Sequence, residues 1–132
     1  LNRCNAVSTD TMHRMKFNNT VEAENVLLAY YNSISFAFTE ICGRSYGGGV
    51  LEILPGEMGN IMLPKIQTIN ATIRTNLLKQ IDTIVRSDGN IEKALDIVDQ
   101  EVLVNLLGID PKWCKRCRTI WKKMQKRRLN RS

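Results

Sequence analysis

Arg44, Ser45 and Tyr46 set a cation, a hydroxyl and an aromatic ring directly ahead of three consecutive glycines, Gly47, Gly48 and Gly49. Phosphates and bases accept such groups readily. Glycine backbone can take positive φ and come close to a partner, so the stretch reads as a ligand-facing loop. It is a poor nucleotide-binding loop, because the phosphate-loop lysine pattern is missing and a strand, not a helix, is expected after it. A second candidate is the CxxC of Cys114 and Cys117. At i, i+3 on a helix the two thiols could share a zinc ion, but a four-ligand site would need Cys4, Cys42 or His13 to converge on them, and no metal is expected. His13 lacks an evident orienting partner for general-base work. Trp113 and Trp121, at helical spacing, are better explained as core than as base-stacking platforms.

Charge adds a third candidate. Of nineteen Lys and Arg residues, ten fall within residues 112–131, and no acid follows Asp110. The other nine face thirteen acids, so the basicity belongs to the C-terminal segment. Ten cations without an interleaved acid repel one another unless something anionic lies nearby; nucleic acid is the favoured partner over an idle solvated face, and an acidic protein surface is the other candidate. At 132 residues, 43% hydrophobic and 24% charged, the chain has the make-up of one globular domain. Four cysteines without framework spacing read as reduced thiols. No apolar run approaches membrane-spanning length and no secretory signal is recognisable, so the expected location is cytoplasmic, with no membrane partner.

These residues must be positioned by a mostly helical α+β fold, with about four helices and a small antiparallel sheet or hairpin. Alternation of Thr11, His13, Met15 and Phe17 with Met12, Arg14 and Lys16 predicts a half-buried strand with its cations outward. Thr20 is the expected cap of a first helix whose apolar face is Leu27, Tyr31, Ile34, Phe38 and Ile41, ending at Gly43. Residues 50–54, VLEIL, predict a strand, and Pro55-Gly56 a turn. A second helix is expected over residues 66–86, and a third from Ile91 to Gly108 with Leu95, Val98 and Val102 on one side. Asp110-Pro111 starts the fourth, a cap followed by proline at the first helical position. Its inward residues are expected to be Trp113, Cys117, Ile120, Trp121 and Met124. Two regions follow: residues 1–64, with strand, helix and glycine-rich loop, and residues 65–132, with three helices, together one compact unit.

The chain resembles the C-terminal portion of the adenine-N6 DNA methyltransferases of bacterial restriction-modification systems. The likeness is carried by Ser8-Thr9-Asp10-Thr11-Met12-His13-Arg14, by Tyr31-Asn32-Ser33 and Phe36-Ala37-Phe38, and by GRSYGGGVLEILP with the Leu63-Pro64 pair. Asp99 with Val102-Leu103, Leu107-Gly108, Ile120-Trp121-Lys122-Lys123 and Arg127-Arg128-Leu129 resemble the way such enzymes end. The passage from Leu63-Pro64 into an amphipathic helix is also similar to the close of target-recognition domains in restriction specificity subunits.

The resemblance implies a piece of an enzyme. The family's chemistry flips an adenine against an Asn/Asp-Pro-Pro-aromatic motif beside S-adenosylmethionine. Pro55, Pro64 and Pro111 are isolated, and no cofactor-binding strand, glycine turn and helix unit appears, so catalytic residues and S-adenosylmethionine are expected in an upstream domain of the full-length protein. To this region the resemblance assigns target recognition and the clamping of double-stranded DNA. The residues expected to do this are Arg44, Ser45 and Tyr46 with the amides of Gly47, Gly48 and Gly49, then Arg14 and Lys16 from the neighbouring strand, and Lys122, Lys123, Arg127 and Arg128 from the last helix. The competing expectation is a helical interaction module that docks on the catalytic domain or a partner subunit, with an oligomer among its outcomes. A zinc-stabilised nucleic-acid binder is a third.

Overall fold

A computed structural model describes residues 6–9, 12–66, 69–87 and 89–130. Among these the chain is mostly helical, with six α-helices rather than about four and one small antiparallel sheet. Residues 12–16 are exposed and form no strand, which corrects the expectation for that segment; Thr11 lies outside the described residues. Alternation alone cannot hold a strand without an edge to pair with, and the sheet among the described residues pairs Arg44–Ser45 only with Leu51–Glu52.

Helix α1 spans Thr20–Tyr30 and is capped by Asn19 rather than Thr20: the Asn19 Oδ1 accepts the Glu22 N–H at 2.8 Å. The single helix expected up to Gly43 is broken at Tyr31, and α2 (Ser33–Cys42) restarts from Asn32. Asn32 is fully buried and builds the break. Its Oδ1 accepts the Ser35 N–H at 2.9 Å, while its Nδ2 donates to the Ser35 Oγ and to the Ala29 carbonyl. Restarting the helix resets its phase. The buried apolar residues become Ala23, Leu28, Ala29 and Ala37, whereas Ile41, expected inside, is exposed.

Strand β1 (Arg44–Ser45) and strand β2 (Leu51–Glu52) form a two-residue ladder, far shorter than the strand expected over 50–54. Helix α3 (Pro55–Met58) replaces the expected turn, with proline at its start, where a missing N–H costs nothing. Helix α4 runs Ala71–Ser87 and buries Leu77 and Ile81; its start is later than the expected residue 66, although Ile66 still enters the core. Gly89, at φ 64°, turns the chain into α5 (Ile91–Val98). That helix widens into a π-helical segment, Asp99–Leu106, where the Leu107 N–H reaches the Val102 carbonyl at 3.0 Å. Helix α6 (Pro111–Leu129) begins as expected, with the Asp110 carboxylate accepting the Lys112 N–H at 2.9 Å.

Two clusters make the core. Leu28, Ala29, Ile66, Leu77, Ile81, Ala94, Val98 and Val102 join α1, α4 and α5; Ala37, Leu95 and Trp121 join α2, α5 and α6. Helix α5 lies between the two, with Ala94, Leu95 and Val98 fully buried. The second cluster lays α6 along α2 and so fixes the basic helix against the hairpin that follows α2.

Candidate nucleic-acid interface

The hairpin puts Arg44 opposite Glu52 and Ser45 opposite Leu51, and the Tyr46 N–H closes it on the Val50 carbonyl at 3.0 Å. Between them Gly47–Gly49 forms one tight turn with Gly48 at φ 72° and Gly49 at φ 77°. Both angles lie in the left-handed region that L side chains avoid. A Cβ on Gly49 would also stand 2.8 Å from the Leu129 Cδ2, whereas one on Gly47 would meet nothing. Part of the close approach expected of these glycines is therefore made to the chain's own last helix.

Tyr46 is 50% exposed. Arg44 is also open to solvent, but its Nε holds the Glu57 carboxylate at 2.7 Å. Glu57 in turn accepts the Leu54 N–H at 3.0 Å at the start of α3. That backbone hydrogen bond first, and Arg44 second, hold the Glu57 carboxyl below its ordinary range.

On α6 the cations divide by face. Arg128 is turned inward: its Nε and terminal nitrogen grip both oxygens of Glu40 at 3.1 and 2.7 Å, and its remaining nitrogen donates to the Gly49 carbonyl. Lys122 pairs with Glu92 at 2.5 Å, and Arg118 with Asp99 at 3.1 Å and Asp96 at 3.0 Å. Lys115, Lys123, Lys126 and Arg127 are exposed and have no ion-pair partner among the described residues. Together with Lys112 and Arg116 they lie three, four, seven or eight residues apart (112/115, 112/116, 116/123, 115/123, 123/126, 123/127), which sets all six on one outward face. Arg14 and Lys16 are exposed on extended chain, with the Arg14 Nε donating to the Ser8 Oγ at 3.0 Å. The turn and the end of α6 are thus brought together; among the described residues no hydrogen bond or ion pair joins Arg14 or Lys16 to either.

The remaining candidates are placed as follows. Cys114 is buried and its thiol is pushed up to about 11, by burial first and then by Asp99 and Cys117; Cys117 shifts the same way. Both stay protonated near neutrality, which suits packing better than metal ligation. Among the described residues no group of three His, Cys, Asp or Glu could hold a metal ion. Trp121 is core, packed edge-on against Phe36 at 5.4 Å. Trp113 and Ile120, expected inside, are 49% and 42% exposed. Seven residues apart, they share one partly exposed edge of α6.

The family described as "Type II methyltransferase M.Eco57I, C-terminal domain" matches residues 1–103. The chain belongs to that family. No curated protein and no solved structure gives a match. The match to this restriction-modification methyltransferase domain takes in both short strands, the glycine turn and α1 to α5, and stops inside the π-helical segment; α6 lies beyond it. Among the described residues no helix is long and apolar enough to cross a membrane. As for S-adenosylmethionine, Gly47–Gly49 leads into β2 and not into a helix N-terminus, so the turn offers no dipole-backed cradle for a cofactor.

Two groups in this methyltransferase domain escape a reading of the sequence for sites. Asp99, buried, takes the Ser33 N–H at 2.8 Å and the Arg118 guanidinium, and Arg118 donates to the Ser33 Oγ at 2.7 Å. This carboxylate serves the N-terminus of α2 from a different element, where the helix dipole favours it. Glu40 does the corresponding work for Arg128. A single charged residue in a helix with no other, as Glu40 is in residues 33–42, is the one local hint of such pairing.

Proposed function

We propose that this domain is the DNA-gripping, target-recognising part of an adenine-N6 methyltransferase whose S-adenosylmethionine site and catalytic motif lie in an upstream domain. The observation that carries the reading is the meeting of the glycine turn, bearing exposed Ser45 and Tyr46, with the C-terminal end of a helix whose outward face is cationic. The face extends for about 22 Å at 1.5 Å per residue from Lys112 to Arg127, long enough to follow several phosphates of a duplex. Lysines on that face supply attraction independent of sequence. Tyr46, Ser45 and the outer side of Arg44 are the groups available for reading bases or sugar edges. The working site is cytoplasmic, alongside chromosomal DNA.

The test is a salt series on the full-length enzyme with duplex DNA. Replacing Lys123 and Lys126 by alanine lowers the slope of log affinity against log salt by about 0.9 for every phosphate that is no longer neutralised. Tyr46→Ala leaves that slope alone and narrows the preference for target over non-target DNA. Unchanged affinity, slope and preference in all three variants would rule the reading out. A second reading, docking of this domain on its catalytic domain, is favoured by exposed Trp113 and Ile120 on one edge of α6; Trp113→Ala with Ile120→Ala then weakens domain association without altering the salt slope.

A further inference from the structure

Arg128 stands apart from its basic neighbours. Its side chain is 13% exposed and that of Glu40 5%, whereas Lys123, Lys126 and Arg127 are open to solvent. A guanidinium offers five N–H groups in a rigid fork. One side of this fork is taken up by both Glu40 oxygens, and the other reaches the Gly49 carbonyl. Withdrawing Arg128 towards a phosphate would leave Glu40 buried without a counter-charge. Leu129, the next residue, packs where a Gly49 side chain would be, so the last turn of α6 meets the glycine turn through both a hydrogen bond and a van der Waals contact. A lysine could neutralise Glu40, but its compact ammonium lacks the planar reach to hold Glu40 and Gly49 together.

We propose that Arg128 is a positioning residue: it ties α2, α6 and the glycine turn into one unit and sets the turn's shape, and it is not itself a phosphate contact. The proposal rests on the DNA-binding reading for its functional consequence, but not for its structural one. The Tyr46 amide, bonded to the Val50 carbonyl across the turn, reports on that shape without DNA.

The experiment compares full-length enzyme with two variants, Arg128→Lys and the double replacement Glu40→Leu with Arg128→Met. The double variant removes the ion pair without stranding a charge, and so is expected to fold even where a single truncation would not. Hydrogen exchange at residues 46–50 is expected to speed up about tenfold in both, the scale of one hydrogen bond removed. Discrimination between a duplex that the enzyme methylates and one that it does not should fall by about the same factor, with the salt slope unchanged. Unaltered exchange in both variants overturns the proposal. So does a salt slope that drops by about 0.9 in the double variant, since this would make Arg128 a phosphate contact. If Lys123→Ala and Lys126→Ala leave wild-type affinity untouched while the Arg128 variants still loosen the turn, the DNA reading fails and the positioning role stands.

Discussion

The glycines of the turn do not share one tolerance, and their dihedrals, not the sequence, reveal it. Gly48 and Gly49 hold positive φ and Gly47 does not. Alanine at 48 or 49 is therefore expected to destabilise the hairpin by about 1–2 kcal/mol, the cost of forcing an L residue into the left-handed region. Alanine at 47 should stay within about 0.5 kcal/mol of wild type. Urea melts of the three variants check the order. Cys114 supplies a second prediction at this scale. Its thiol shifts from 9.0 to about 11 in the fold, so below pH 9 the proton is held in both states and stability is full. As pH rises from 9 towards 11 the unfolded chain loses its proton first, and stability falls. Denaturation midpoints of wild type should decline across that window more steeply than those of Cys114→Ala, and the native thiol should react slowly with thiol reagents at pH 8.

Helix α2 adds to its local Asn32 cap a partner supplied from a distance. That partner is Asp99, at the start of the π-helical segment, and Arg118 of α6 completes the triad. Asp99→Ala would leave the Ser33 N–H unsatisfied and weaken the anchoring of Arg118, at an expected cost of about 3 kcal/mol. Thermal unfolding measures it, and a loss below about 0.5 kcal/mol would show that water replaces the carboxylate. Helices α5 and α6 were legible locally because their caps are local: Asn90 and Asp110 accept from Lys93 and Lys112. The break between α1 and α2 was not, although Asn32 followed three residues later by Ser35 is an N-cap signal of the ordinary kind. An apolar pattern that continues on both sides of a cap reads as a single face until the cap is seen to be buried.

At the scale of the molecule, α5 is the shared wall of two core clusters. Leu95 faces α2 and α6, and Ala94 and Val98 face α1 and α4. Leu95→Ala is accordingly expected to cost about 2–5 kcal/mol and to lower the stability of both clusters together. Tryptophan fluorescence, sensitive to Trp121, and far-ultraviolet circular dichroism should then trace one coincident transition. Separate midpoints would mean that the clusters unfold independently.

Read alone, the sequence determined where helices α5 and α6 start, where the chain turns at Gly47–Gly49 and at Gly89, and how the cations concentrate after Asp110, since these depend on neighbours within one or two helical turns. It also carried the family likeness, through segments spread along the chain. Tertiary structure alone decided which cations face outward. Arg118 and Arg128 are withdrawn by carboxylates nineteen and eighty-eight residues away, Asp99 and Glu40. It likewise decided that Ile41 and Trp113 face solvent, and that residues 12–16 have no strand to join. The physical reason is common to all of these: a helix face or a charge acquires its role from whatever packs against it, and that partner is chosen by the fold.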